Sequence, residues 1–274
     1  MIRANFEEFY RGFRAIKNRI YSLLKSLMAR QPINMKLSRI SEPERFVLVE
    51  PSVRKFVRPN TMLPDARLSN IVASIDSVAK NDIRGAYVEC GVWKGGSVLL
   101  AGLYFDKIGE RNRDLHLLDS FSDICEPNHE IDGERAVQEV GGKEFAQGRL
   151  KETKMYQGLG IGYSTADQVK ELLNCICYSA GSVFVHPGWF QDTLPTVKKR
   201  VGEIAILRLD ADWYESTKVC LEALYDNVVP GGIIIIDDFF SYDGCRKAVE
   251  EFLKVNKINI IMERIDHDAV YWVK

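Results

Sequence analysis

Between Ile204 and Phe239 two apolar runs each end in paired carboxylates: Ile204-Ala-Ile-Leu-Arg-Leu runs into Asp210-Ala-Asp212, and Ile233-Ile-Ile-Ile runs into Asp237-Asp238. Near-continuous apolar runs of this length, separated by a helical stretch at 216–228, read as parallel strands buried on both faces. In an open parallel sheet, ligands sit beyond the carboxyl ends of the strands. The four acidic side chains are therefore delivered to the edge where a ligand binds, and that edge reads as a divalent-metal site.

The alternation of helix and strand extends from Leu68 to the end of the chain. Helices are expected at 68–80, 97–108, 164–174, 216–228 and 244–254. Strands are expected at 86–90, 115–119, 182–186, 203–209 and 232–237, followed by two closing strands at 258–265 and 269–273 that form a hairpin around Asp266-His267-Asp268. Repeated β–α–β units predict an α/β fold, doubly wound and mostly parallel with an antiparallel closing strand. The polar, Gly-containing stretch 122–162 interrupts the alternation at a strand's carboxyl end, where insertions act as lids or substrate loops.

Ahead of this domain, expected to cover residues 64–274, residues 2–30 read as a basic amphipathic helix with Phe6, Tyr10, Phe13, Ile16, Ile20 and Leu23 near a 3.6-residue period. Such a helix either packs on its own domain or on a second copy of the chain, or lies on a membrane surface. Five prolines (Pro32, Pro43, Pro51, Pro59, Pro64) make 31–65 an extended connection. Charges interrupt residues 1–30, so no cleavable signal peptide is read there, and no apolar run is long enough to span a bilayer. The six cysteines are scattered, with only Cys175 and Cys177 close and no second half of a zinc pattern, which suits free thiols in a reducing cytoplasm. A net charge of −1 gives no reason to expect a nucleic-acid partner.

The first strand of the repeat runs into Val88-Glu89-Cys90-Gly91-Val92-Trp93-Lys94-Gly95-Gly96-Ser97 and then a helix. Glycines at such a turn let the backbone approach a ligand, and the helix N-terminus favours negative charge. The spacing is not the dinucleotide Gly-x-Gly-x-x-Gly, which speaks against a nicotinamide-dependent oxidoreductase. Asp119 ends the next strand, where doubly wound nucleotide-binding folds place an acid against ribose hydroxyls; its alternative role is to cap the following turn. The two together argue for a nucleoside-containing cofactor. Gathered carboxylates repel one another unless a cation or raised pKa values intervene. Oxygen-only ligands suit Mg²⁺, with Mn²⁺ and Ca²⁺ as alternatives. Helix N-capping by Asp212 and Asp238 would account for one acid of each pair.

Four motifs, Glu89-Cys-Gly-Val-Trp-Lys-Gly-Gly96, Gly188-Trp-Phe-Gln-Asp-Thr-Leu-Pro195, Asp210-Ala-Asp-Trp-Tyr-Glu-Ser-Thr217 and Pro230-Gly-Gly-Ile-Ile-Ile-Ile-Asp-Asp-Phe239, resemble in sequence and order the macrocin O-methyltransferase family. The resemblance covers 64–274. It implies a Rossmann-like class I methyltransferase fold, S-adenosylmethionine and Mg²⁺ as cofactors, and methylation of a sugar hydroxyl on a natural-product or surface glycoside. It further implies that Asp210, Asp237 and Asp238 hold the metal and that Asp212 is the general base. Glu89, Gly91, Lys94, Gly95 and Gly96 would line the methionine end of the cofactor, Asp119, Ser120 and Phe121 its ribose and adenine, with Gly188 and Trp189 near the adenine. Ala211 and Trp213 depart from the Gly and Leu common in the family. Two other readings stand beside this one: a catechol-type O-methyltransferase, whose acceptor poses the same chelation problem, and a non-catalytic nucleoside-binding module.

Overall fold

The computed structural model describes residues 36–37, 51–110, 112–174 and 182–274. The basic helix read at 2–30 lies outside these residues, as do Cys175 and Cys177. Among the described residues, no helix is long and apolar enough to cross a membrane.

Eight strands form one sheet: β1 (Lys36–Leu37), β2 (Ala86–Cys90), β3 (Leu115–Asp119), β4 (Val183–Pro187), β5 (Ile204–Leu209), β6 (Val228–Ile236), β7 (Ile261–Arg264) and β8 (Val270–Val273). Their spatial order is β1-β7-β8-β6-β5-β2-β3-β4. Neighbours from β4 to β6 pair in parallel, and β8 runs antiparallel to both β6 and β7, so among the described strands it is the one that is reversed. The doubly wound sheet with an antiparallel closing strand, and the hairpin at 266–268, are as the sequence predicts.

Every residue of β2 and β5 is buried, which is why these strands read as near-continuous apolar runs, broken only by Glu89 and Arg208. Helices cover both faces. On one lie α1 (Pro51–Val57), α2 (Asp65–Lys80) and α3 (Gly96–Lys107), whose Val57, Leu68, Ile71, Ile75 and Val98 share a core with Tyr87, Leu115, Leu117, Ile233 and Ile235. The i, i+3, i+4, i+7 spacing of the buried positions in α2 is the amphipathic pattern that seats it there. The remaining helices of the repeat are α6 (Ala166–Asn174), α7 (Phe190–Val201), α8 (Tyr214–Leu224) and α9 (Asp243–Val255).

Two differences from the sequence reading follow from backbone chemistry. Residues 51–57, placed in an extended connection on account of the prolines, form α1, because Pro51 takes the first helical position, where a missing N–H leaves nothing unpaired. With β1 also in the sheet, the fold takes in residues ahead of 64. The insertion 122–162 carries two short helices, α4 (Gly133–Glu139) and α5 (Met155–Gly158), and is held internally by the Asp123 carboxylate. That carboxylate accepts from the amides of Ile124, Tyr156 and Gln157 and from the Thr153 hydroxyl.

Candidate active site

The chain runs from β2 outward to β4 and then returns to place β5 against the other side of β2, so the topological switch point lies between the carboxyl ends of β2 and β5. Gly91 and Asp210 meet there. Gly91 adopts φ +91°, and a Cβ on it would stand 1.8 Å from the Asp210 carbonyl oxygen, so only glycine fits. Gly95 is likewise left-handed, at φ +83°, and packs on Val169 of α6. Gly96 is pressed against the backbone of Asn60, so its lack of a side chain serves chain packing rather than an open approach to the crevice.

Asp119, at the end of β3, clamps this turn. Its Oδ2 accepts from the amides of Val92 at 2.6 Å and Trp93 at 3.0 Å, and its Oδ1 from the Phe121 amide at 2.7 Å. Ser120 Oγ lies 3.5 Å from Oδ1. Burial pushes the Asp119 carboxyl up, and the three amides oppose that shift by binding the ionised form. Gly188 joins the same corner, its amide donating to the Asp119 carbonyl at 2.9 Å, and Trp189 then starts α7. Lys94 turns over the Trp93 ring and donates to the Ile161 carbonyl, while Trp93 Nε1 donates to Gly162 O at 2.7 Å. The insertion is thereby fastened to the glycine turn.

Glu89 departs from its expected place. It is 0% exposed, and its oxygens accept from the Tyr87 hydroxyl, the Ser97 hydroxyl and Arg208 Nη1, so it lies beneath the crevice rather than lining it.

At the other side of the switch point, Asp210, Asp237 and Asp238 each offer a carboxylate oxygen, all within 4.8 Å of one another. Asp238 Oδ2 is buried without a hydrogen-bond partner, which leaves a lone-pair donor directed at no proton. Burial, then the neighbouring carboxylates, push Asp238 and Asp212 well above the usual carboxylate range, and Asp210 is raised for the same reasons. An all-oxygen set so crowded with negative charge fits a hard divalent cation.

Asp212 sits at φ +58°, in the left-handed region that a non-glycine residue adopts at a cost. The capping alternative fails for both acids. No side chain of an N-cap residue bonds α8 or α9, and the carboxylate at the start of α8 is Asp132 of the insertion, whose Oδ1 accepts from the Tyr214 amide at 2.7 Å. Trp213 explains its own departure from the family pattern: its Nε1 donates to the Cys125 carbonyl at 2.9 Å, and its ring meets Tyr242 edge-on at 4.7 Å, so it docks the insertion beside Asp212.

The sequence reading passed over the cations among these acids. Arg208, 1% exposed, reaches Asp210 Oδ2 at 2.9 Å and Asp237 Oδ1 at 2.7 Å. Arg67, from the first turn of α2, bonds the other Asp237 oxygen and Asp266 Oδ2 at 2.8 Å. A strand arginine two places before Asp210, and so on the same face, was a readable signal for the first. Nothing local announced the second.

Residues 22–274 match the family described as macrocin-O-methyltransferase (TylF). The chain is 32% identical over 213 residues to the 8-demethyl-8-(2,3-dimethoxy-alpha-L-rhamnosyl)-tetracenomycin-C 4'-O-methyltransferase of Streptomyces olivaceus, covering 78% of this chain and 75% of that one. It is 31% identical over 213 residues to the demethyldecarbamoylnovobiocin O-methyltransferase of Streptomyces niveus, with the same coverage of 78% and 75%. Among solved structures it resembles the O-methyltransferase NovP, with TM-score 0.65 and 31% identity over 78% of this chain and 82% of that one. The calicheamicin methyltransferase CalS11 shares the fold at TM-score 0.56 and 17% identity, over 86% of this chain and 98% of that one. The fold is that of the class I methyltransferases. The chain belongs to the macrocin O-methyltransferase family, and it is an S-adenosylmethionine-dependent O-methyltransferase.

Proposed function

We propose that the protein methylates a hydroxyl group of a sugar carried on a small-molecule glycoside, with Mg²⁺ held by Asp210, Asp237 and Asp238 and with Asp212 as the general base. The observation that carries this reading is the triad of carboxylate oxygens within 4.8 Å, one of them buried and unpartnered, beside a fourth acid in a strained backbone conformation. The relative at 32% identity is named for O-methylation of a rhamnosyl-tetracenomycin, which favours a glycosyl acceptor over a catechol.

Asp210, Asp237 and Asp238 would hold Mg²⁺, which would lower the pKa of an acceptor hydroxyl, and bound S-adenosylmethionine would supply the electrophilic methyl group. Asp212 would take the hydroxyl proton as the acceptor oxygen gains the methyl group, leaving S-adenosylhomocysteine as the other product. Burial, and then the surrounding acids, raise the proton affinity of Asp212, which suits it to a base. Asp119 fits a ribose contact: an ionised carboxylate has about four acceptor positions, of which three take amides and the fourth is met by Ser120 Oγ only at 3.5 Å, a weak bond that a ribose hydroxyl would replace. Gly91, Lys94 and Gly95 would border the methionine end, and Ser120, Phe121, Gly188 and Trp189 the adenine end. The insertion 122–162, tied to both halves of the site through Trp93 and Trp213, would close over acceptor and cofactor.

The test is calorimetric titration with S-adenosylhomocysteine in Mg²⁺ buffer, followed by a panel of glycosides and catechols with and without chelator. Micromolar binding and chelator-sensitive methylation of a glycoside are expected. A folded protein that binds no S-adenosylhomocysteine, or that methylates catechols alone, overturns the reading.

A further inference from the structure

The wholly buried pair Glu89 and Arg208 has no part in the chemistry above. The two are register partners on neighbouring parallel strands, β2 and β5, and they are 0% and 1% exposed. Every group on Glu89 is a donor: the Tyr87 hydroxyl at 2.6 Å, the Ser97 hydroxyl and Arg208 Nη1 at 2.9 Å. Burial pushes the Glu89 carboxyl up, and Arg208, which can only donate, opposes that shift together with the Ser97 and Tyr87 hydroxyls by favouring the carboxylate. The other nitrogen of the fork, Nη2, reaches Asp210 Oδ2 at 2.9 Å and Asp237 Oδ1 at 2.7 Å. One planar guanidinium therefore spans carboxylates from three adjacent strands, β2, β5 and the end of β6. A lysine ammonium, being a compact point charge, cannot reproduce that fork.

We propose that Glu89 and Arg208 are a positioning pair that sets the affinity of the site for a divalent cation without touching cofactor or acceptor. Arg208 holds Asp210 and Asp237 at ligating spacing. Glu89 offsets the charge of Arg208, so that the cluster above keeps the negative charge a cation needs. Because Ser97 lies in the first turn of α3, the same pair also ties the glycine turn to the carboxylates of β5 and β6. This inference rests on the reading of Asp210, Asp237 and Asp238 as cation ligands.

The test is titration of full-length wild type, Glu89→Gln and Arg208→Lys with Mn²⁺, followed by the electron paramagnetic resonance of free Mn²⁺. S-adenosylhomocysteine affinity and Tm are measured on the same samples. Glu89→Gln keeps the shape and the hydroxyl contacts and removes one negative charge; it should weaken Mn²⁺ binding on the order of tenfold and leave S-adenosylhomocysteine affinity unchanged. Arg208→Lys should weaken Mn²⁺ binding at least as much. A purely structural role would lower Tm and leave the Mn²⁺ affinity of Glu89→Gln where it is in wild type, and that result overturns the inference. Loss of S-adenosylhomocysteine affinity with Mn²⁺ affinity kept would make Glu89 a cofactor contact and overturn it as well. If Arg208→Lys fails to fold, Glu89→Gln decides alone. Wild type that binds no Mn²⁺ removes the cation reading and this inference together; wild type that binds Mn²⁺ as tightly as does Glu89→Gln removes this inference only.

Discussion

At the β2/β3 end of the crevice an acid at a strand terminus is surrounded by donors: Asp119 receives three backbone amides. At the β5/β6 end the acids face one another, two arginines support them from below and from α2, and one carboxylate oxygen has no partner. In sequence the two ends look alike, each an apolar strand running into Asp. The difference in their surroundings separates a carboxylate that holds a loop in shape from carboxylates arranged to hold a cation.

The largest expected effect that would break this contrast is at the base. Asp212→Asn should lower kcat by about 10²–10⁴-fold, with Mn²⁺ and S-adenosylhomocysteine affinities retained; single-turnover methylation alongside binding titrations checks this. Asp237→Ala should abolish Mg²⁺-dependent turnover, and activity equal to wild type would remove the cation from the β5/β6 acids. Asp119→Ala should act through the turn, since it strands three amides; we expect a loss of about 2–4 kcal/mol in urea unfolding, with weaker S-adenosylhomocysteine binding and unaltered Mn²⁺ affinity.

A smaller effect, outside both ends, sharpens the comparison. His116 Nδ1 lies 3.0 Å from His186 Nε2, and its own Nε2 is buried without a partner. Burial, then His186, lower its pKa to about 4. The folded pKa is thus below the unfolded value, so the native state takes up its proton later than the unfolded chain does. Stability is whole above about pH 6.5 and declines as pH falls toward 4, by about 2 kcal/mol at pH 5. Urea unfolding at pH 7 and pH 5 measures this, and His116→Leu should remove that part of the slope while leaving Mn²⁺ affinity unchanged.

The sheet and the acid pairs were legible because hydrophobic runs of strand length, ended by paired acids and alternating with helical stretches, admit few other folds. Glu89 is expected at the cofactor because of the glycine turn beside it, whereas its pairing opposite Arg208 under the sheet edge could not be read locally. Arg67 and Asp132 were illegible in principle: each reaches its partner across the fold, Asp237 standing 170 positions after Arg67 and Tyr214 82 positions after Asp132. The strand β1 has two residues, too few for any periodicity to declare. Trp213 carried a signal, its departure from the family pattern, but its meaning depended on the carbonyl of Cys125 being brought beside it.

The most direct measurement is Mn²⁺ titration of wild type, Asp238→Asn and Asp119→Ala under one set of conditions. The account predicts one site in wild type, weakened on the order of a hundredfold or more in Asp238→Asn and intact in Asp119→Ala. Equal Mn²⁺ binding by wild type and Asp238→Asn would contradict it.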